Sequence, residues 1–167
     1  YDTQMMQANT DDLIFFTSLD ELKKKEFLPY SNAIAQGLDF IMVGHISVPN
    51  VTGDDTPASL SEKMISEVLR KDLGFKGIVM TDYLNDKTIV KNYSAADAAV
   101  KAIQAGADLL LEPDDLEAAY EGVLRAVKKG DITEDRLDES IYRILRVKIS
   151  MQDESSDATE SESVSDY

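Results

Sequence analysis

Short, wholly apolar runs alternate along this chain with stretches whose apolar residues recur at helical spacing. Phe40-Ile41-Met42-Val43, Gly77-Ile78-Val79-Met80-Thr81 and Leu109-Leu110-Leu111 are too short and too uniform for surface helices. They predict strands buried on both faces. Between them lie helix signals. Ser18 and Glu21 have capping-box spacing and open a helix through Lys25 that bends near Pro29, continues through Ala33 and stops at Gly37. Ser59 and Glu62 repeat the box before a stripe of Leu60, Met64, Ile65, Val68 and Leu69 that ends near Gly74. Ser94 with Asp97 caps an Ala-rich helix ending at Gly106. Pro113 precedes a helix predicted to turn Leu116, Ala119, Tyr120, Val123, Leu124 and Val127 inward, up to Gly130. Thr133 caps the last helix, with an inward stripe of Leu137, Ile141, Ile144, Leu145 and Ile149. This alternation predicts an α/β fold of right-handed βαβ units around a parallel sheet.

Charge divides the chain. From Gln152 to Tyr167 there are six acids, five serines and no Lys or Arg, and Val164 is the one aliphatic residue larger than Ala. Such a stretch cannot bury enough apolar area to offset its ordering entropy. It is expected to be a disordered acidic tail, with residues 1–151 as the folded domain. The tail accounts for six of the net −15 charges. An acidic chain disfavours nucleic acid and anionic membrane as partners. The absence of Cys excludes disulfides, a thiol nucleophile and Cys-ligated zinc. No apolar run approaches the roughly 20 residues of a membrane span. No signal peptide is visible, and the missing initiator Met is read as a processed or excised segment.

Parallel sheets place ligand sites at the carboxyl ends of their strands. Asp82 directly follows an apolar strand, where a carboxylate can serve as nucleophile, base or metal ligand, or simply cap a helix. His45, the only histidine, stands at the end of the preceding strand beside Gly44. It can meet a sugar hydroxyl or orient a carboxylate, or be a hydrogen-bonded structural residue. Glu112 reads as a helix start, and Asp54 and Asp55 as turn residues. Tyr83 and Tyr93 could flank a pocket. Dinucleotide, P-loop and serine-hydrolase motifs are missing. A phosphoryl-acceptor role for Asp82 would need an acidic pair and a later Lys at positions where this chain has neither.

These residues carry a family resemblance. Gly74-Phe75-Lys76-Gly77-Ile78-Val79-Met80-Thr81-Asp82 resembles the strand and nucleophile segment of glycoside hydrolase family 3. Phe40-Ile41-Met42-Val43-Gly44-His45, Thr56-Pro57-Ala58-Ser59-Leu60-Ser61 and Ala105-Gly106-Ala107-Asp108-Leu109-Leu110-Leu111 resemble flanking segments in the same order. The resemblance covers about residues 18–149, and its nearest branch is β-N-acetylhexosaminidase-like and bacterial. It implies part of a (β/α)8 TIM barrel. It also implies retaining hydrolysis of β-linked N-acetylglucosamine or glucose units in cell-wall or oligosaccharide substrates, without a cofactor or metal. Asp82 takes the nucleophile position and His45 a place in the substrate-binding wall. A secreted or cell-envelope location is expected.

The chain departs from the family pattern as well. In the acetylglucosaminidase branch, the acid/base is a His paired with an Asp on a loop before the helix that starts here near Leu19. The corresponding Tyr1–Asp12 lacks an Asp-x-His pair, although Asp2-Thr3 fits the start of the loop. After Asp82 this chain has Tyr83-Leu84-Asn85-Asp86, where relatives often carry a small residue and then Met. Only about three of eight strands are present, in a chain shorter than the roughly 250 residues of a whole barrel. Little activity is therefore expected of this chain alone. Self-association or pairing with an N-terminal barrel portion is expected instead, and a degenerate sugar- or partner-binding module is the alternative.

Overall fold

The computed structural model describes residues 14–162, with side chains as far as Gln152. The Tyr1–Asp12 loop segment and nearly all side chains of the acidic tail lie outside the described residues.

The first capping box forms as its spacing predicts. Ser18 Oγ accepts from the Glu21 N–H, and Glu21 Oε2 accepts from the Ser18 N–H at 3.0 Å. It opens α1 (Leu19–Lys24), and α2 (Leu28–Ala35) follows with Pro29 in its first turn. Next come β1 (Phe40–Val43), a one-turn α3 (Pro49–Thr52), a 3₁₀ turn (Ala58–Leu60) and a π-helix (Lys63–Asp72). The remaining elements are β2 (Ile78–Tyr83), a one-turn α4 (Lys87–Val90), α5 (Ala95–Ala105), β3 (Leu109–Leu111), α6 (Leu116–Lys129) and α7 (Glu134–Glu162).

The second capping box does not form. Ser59 is buried within the 3₁₀ turn, and the π-helix starts after Glu62 without a side-chain cap. Its apolar stripe is read correctly: Ile65, Val68 and Leu69 are buried.

The strands form a parallel sheet in the order β1-β2-β3. Phe40 pairs with Ile78 and Val43 with Thr81. Ile41 and Val79 enter the core with Ile65, Leu69, Phe75, Ala98 and Ala102. Burial on both faces, however, is not what β1 shows. Phe40 and Met42, at the alternate positions, are 38% and 54% exposed, and all of β3 is half-buried. β1 and β3 are edge strands of the described sheet, so each has a flank without a neighbouring strand.

The expected inward face of α6 holds only in part: Ala119 is buried and Val123 and Val127 are half-buried, but the large residues at Leu116, Tyr120 and Leu124 are not. Ala119, Gly122 and Ala126 are the buried residues, whereas Leu116 and Tyr120 are 73% and 67% exposed. The reason is close packing against the Ala-rich α5. A Cβ built on Gly122 would lie 2.7 Å from Ala96 Cβ and 2.9 Å from its Cα. Small residues allow that approach and large ones are turned away. On α7, likewise, Ile141, Leu145 and Ile149 are exposed, while Ser140 and Val147 are buried. Its buried side carries polar residues beside Val147. Arg136, Ser140 and Arg143 reach the amino-terminal end of β3, where the Asp108 carboxylate is fully buried.

Among the described residues no helix is long and apolar enough to cross a membrane.

Candidate active site

The carboxyl end of β2 is irregular. Met80 pairs with Leu109 but Tyr83 pairs with Leu111, so three steps on β2 span two on β3. Thr81 and Asp82 therefore sit in a β-bulge, a device that re-aims side chains and is common beside active sites. The fully buried Thr81 compensates for the broken ladder: its Oγ1 accepts from the Leu111 N–H at 3.1 Å. Pairing then resumes, with the Leu84 N–H donating to the Leu111 carbonyl at 2.8 Å and Asn85 to Glu112 at 3.0 Å. Asp82 is half-buried, and its Oδ1 accepts from the Tyr83 N–H at 2.8 Å.

His45 lies on the other flank of this bulge. Its Nε2 is 2.8 Å from the Tyr83 carbonyl oxygen and its Nδ1 is 2.7 Å from Ser59 Oγ. Asp82 and His45 are thus brought to one strand end, linked through Tyr83. Both imidazole nitrogens are engaged by the protein, an arrangement that the sequence does not display.

The neighbouring polar residues are mostly local braces. Asp86 caps α4 by accepting from the N–H and Oγ1–H of Thr88 at 2.8 and 2.7 Å. These bonds, the Thr88 hydroxyl first, lower its pKa, helped by the Lys87 charge. Asp54 accepts from the Thr56 N–H at 2.9 Å, a turn contact that also lowers its pKa. Glu112 follows β3 with φ of +40°, a left-handed conformation unusual for a residue with a side chain. Tyr83 is exposed, and Tyr93 lies under the Lys101 ammonium, 5.9 Å from the ring centre. A Cβ on Gly44 would meet nothing within 4 Å.

A polar cleft of about 480 Å³ opens on one side of His45, lined by Asp54, Asp55, Asn92 and Tyr93 among others. Asp82 is outside that lining, whereas His45 belongs to it. Sequence reasoning overlooked Thr81 and Ser59. Both stand in the quoted motifs, as the hydroxyl before Asp82 and the first serine after Pro57.

A carboxylate at the carboxyl end of a parallel strand, amid βα loops, is the arrangement of a barrel-type α/β enzyme. The chain belongs to glycosyl hydrolase family 3: the family's profile, described as its N terminal domain, matches residues 9–147. A β-N-acetylglucosaminidase/β-glucosidase of Cellulomonas fimi is 32% identical over 144 residues, covering 80% of this chain and 25% of the relative. An uncharacterized secreted glycosyl hydrolase of Arthroderma benhamiae is 33% identical, covering 76% and 37%. The solved family 3 β-N-acetylglucosaminidase of a Paenibacillus species superposes with a TM-score of 0.79 at 37% identity, over 83% of this chain and 27% of that one. The chain therefore spans about a quarter to a third of the length of these relatives. Its structural neighbours are the TIM-barrel domains of the family, and the three parallel strands are a portion of that barrel.

Proposed function

We propose that Asp82 is the nucleophile of a retaining β-glycosidase acting on β-linked N-acetylglucosamine or glucose units. The observation that carries this reading is the bulge that aims a carboxylate from the end of the central strand, in a chain whose relatives bear glycosidase names. In the reaction, the Asp82 carboxylate attacks the anomeric carbon as the aglycone oxygen departs with a proton. Water then cleaves the glycosyl ester and restores the carboxylate. His45, joined to this segment through the Tyr83 carbonyl, stands at the wall of the site. No described residue is assigned as the acid/base, and leaving-group protonation is worth roughly 10²–10⁴ in rate. The chain alone is therefore expected to turn over natural substrates poorly.

The open flanks of β1 and β3, with the exposed stripes of α6 and α7, fit a sheet that further βα units complete. Pairing with an N-terminal barrel portion, or with a second copy, is the partner this surface calls for. Residues 1–151 then form the barrel portion, and 152–167 an acidic extension. Secretion or attachment to the cell envelope fits the secreted relative.

The test bypasses the acid. A 2,4-dinitrophenyl fluoroglycoside has a leaving group that departs unprotonated and traps the nucleophile as a stable ester. Mass spectrometry of the full chain is expected to place the label on Asp82, with none on Asp82→Asn. Saturable N-acetylglucosamine binding without labelling would instead identify a non-catalytic module.

A further inference from the structure

We propose that Ser59 and His45 form a positioning pair that fixes the bulge carrying Asp82. The proposal rests on the nucleophile reading and adds how that nucleophile is held.

The proton placement follows from the partners. A backbone carbonyl only accepts, so His45 Nε2, 2.8 Å from the Tyr83 oxygen, carries the hydrogen. In the neutral ring Nδ1 is then a lone pair, and Ser59 Oγ–H donates to it across 2.7 Å. Ser59 is fully buried on a turn that packs against α5 and the π-helix, so the donor has a rigid mounting. A buried hydroxyl needs a partner, and His45 supplies one.

The location gives the pair its purpose. The β1–β2 ladder ends at Val43 and Thr81, one residue before Asp82. Beyond that point the His45 side chain replaces the missing rung. On the opposite flank Thr81 Oγ1 takes the Leu111 N–H. The extra residue of the bulge is thus pinned from both sides. Tyr83 is the link: its carbonyl is held by His45 while its N–H holds Asp82 Oδ1. The Tyr83 carbonyl also accepts from the Asp86 N–H at 3.0 Å, so loss of His45 leaves it held from one side only and loosens the residue whose N–H orients the carboxylate. A displacement of about 1 Å at a reacting group can cost about 100-fold in rate.

Two measurements test the pair in the full chain. Because His45 is the only histidine, a side-chain ¹⁵N spectrum contains one imidazole. The expected tautomer has the proton on Nε2, and Ser59→Ala is expected to keep it there, because the Tyr83 carbonyl remains, while the Nδ1 resonance shifts as its donor is lost. A dominant Nδ1–H form overturns the pair. The second measurement is the rate of Asp82 labelling by the dinitrophenyl fluoroglycoside. Ser59→Ala and His45→Ala are expected to slow labelling at saturation about 10- to 100-fold, with the half-saturating concentration unchanged. His45→Gln, whose amide N–H can reach the Tyr83 carbonyl, is expected to recover much of the rate. A raised half-saturating concentration with an unchanged maximal rate would make His45 a sugar contact and overturn the proposal. If the unsubstituted chain is not labelled at Asp82, the nucleophile reading fails, and the tautomer still decides whether the pair exists. Matching circular dichroism among the variants separates loss of positioning from loss of fold.

Discussion

The Asp108 carboxylate is fully buried at the foot of β3 and accepts from four groups. These are the Val79 N–H at 2.9 Å, Ser140 Oγ at 2.6 Å, Arg70 Nη2 at 2.6 Å and Arg143 Nη1 at 2.9 Å. Arg136 stands 3.9 Å away and donates to the Ile103 and Ala107 carbonyls at the end of α5. This carboxylate therefore faces three mostly buried guanidinium groups, with Arg143 shared with Glu139 at 3.0 Å. Burial pulls the Arg70 and Arg136 pKa values down while Asp108 opposes that shift. Removing one partner of a buried pair typically costs about 3–5 kcal/mol, because the other charge stays buried. Asp108→Ala is expected to lose an amount in that range in urea denaturation, and Asp108→Asn less. A loss below about 1 kcal/mol, the scale of an exposed pair, would show that the cluster is not a stability hub. The same residues show the limit of reading a sequence at this scale. Asp82 and His45 stand out because each follows an apolar strand. Asp108 sits inside a quoted motif yet gives no sign of its partners, because Arg70, Arg136 and Arg143 reach it from 28 to 38 positions away. Ser59 looks like a helix cap because cap spacing is local, whereas its real partner, His45, is set by tertiary contact.

Between elements, α5 and α6 approach each other closely. Gly122 permits it, since a methyl group there would fall within 3 Å of Ala96 Cβ and Cα. Two effects compete in Gly122→Ala. Helix propensity favours Ala by about 1 kcal/mol. Overpacking a tight contact costs about 1–3 kcal/mol, and here the clash is partly with backbone, which cannot rotate away. Net destabilisation is expected, larger for Gly122→Val, as a lowered thermal midpoint. A raised midpoint for Gly122→Ala would mean that the helices separate easily. The succession of strands and helices along the chain and the parallel sense were legible in the sequence, because periodicity and caps report local structure. Which stripe of α6 faces inward was legible only in part. That helix carries a small-residue stripe beside a large apolar one, and periodicity weights the large residues. The burial of β1 on both faces failed for a related reason: an apolar run records what a strand is suited to, not what lies over it.

At the scale of the whole molecule, two opposed tendencies meet. Large apolar side chains remain exposed on both flanks: Phe40 and Met42 on β1, Leu116 and Tyr120 on α6, and Ile141, Tyr142 and Leu145 on α7. Edge strands and apolar patches of this kind favour association. A net charge of −15 opposes it. Salt separates the two. Screening is already substantial beyond about 10 Å at 0.1 M, so added salt weakens repulsion between copies and leaves apolar contact intact. Sedimentation velocity is therefore expected to show association that rises with both protein concentration and salt. Leu116→Glu combined with Tyr120→Lys, at positions already exposed in the fold, should reduce association through α6 without lowering the urea midpoint. Charge-driven pairing would instead weaken with salt, and a chain that stays monomeric under all conditions would mean that these stripes tolerate water. An upstream βα portion of a family relative, added in trans, should compete with self-association if the stripes are barrel surfaces. Failure to compete would leave them as contacts between copies of this chain.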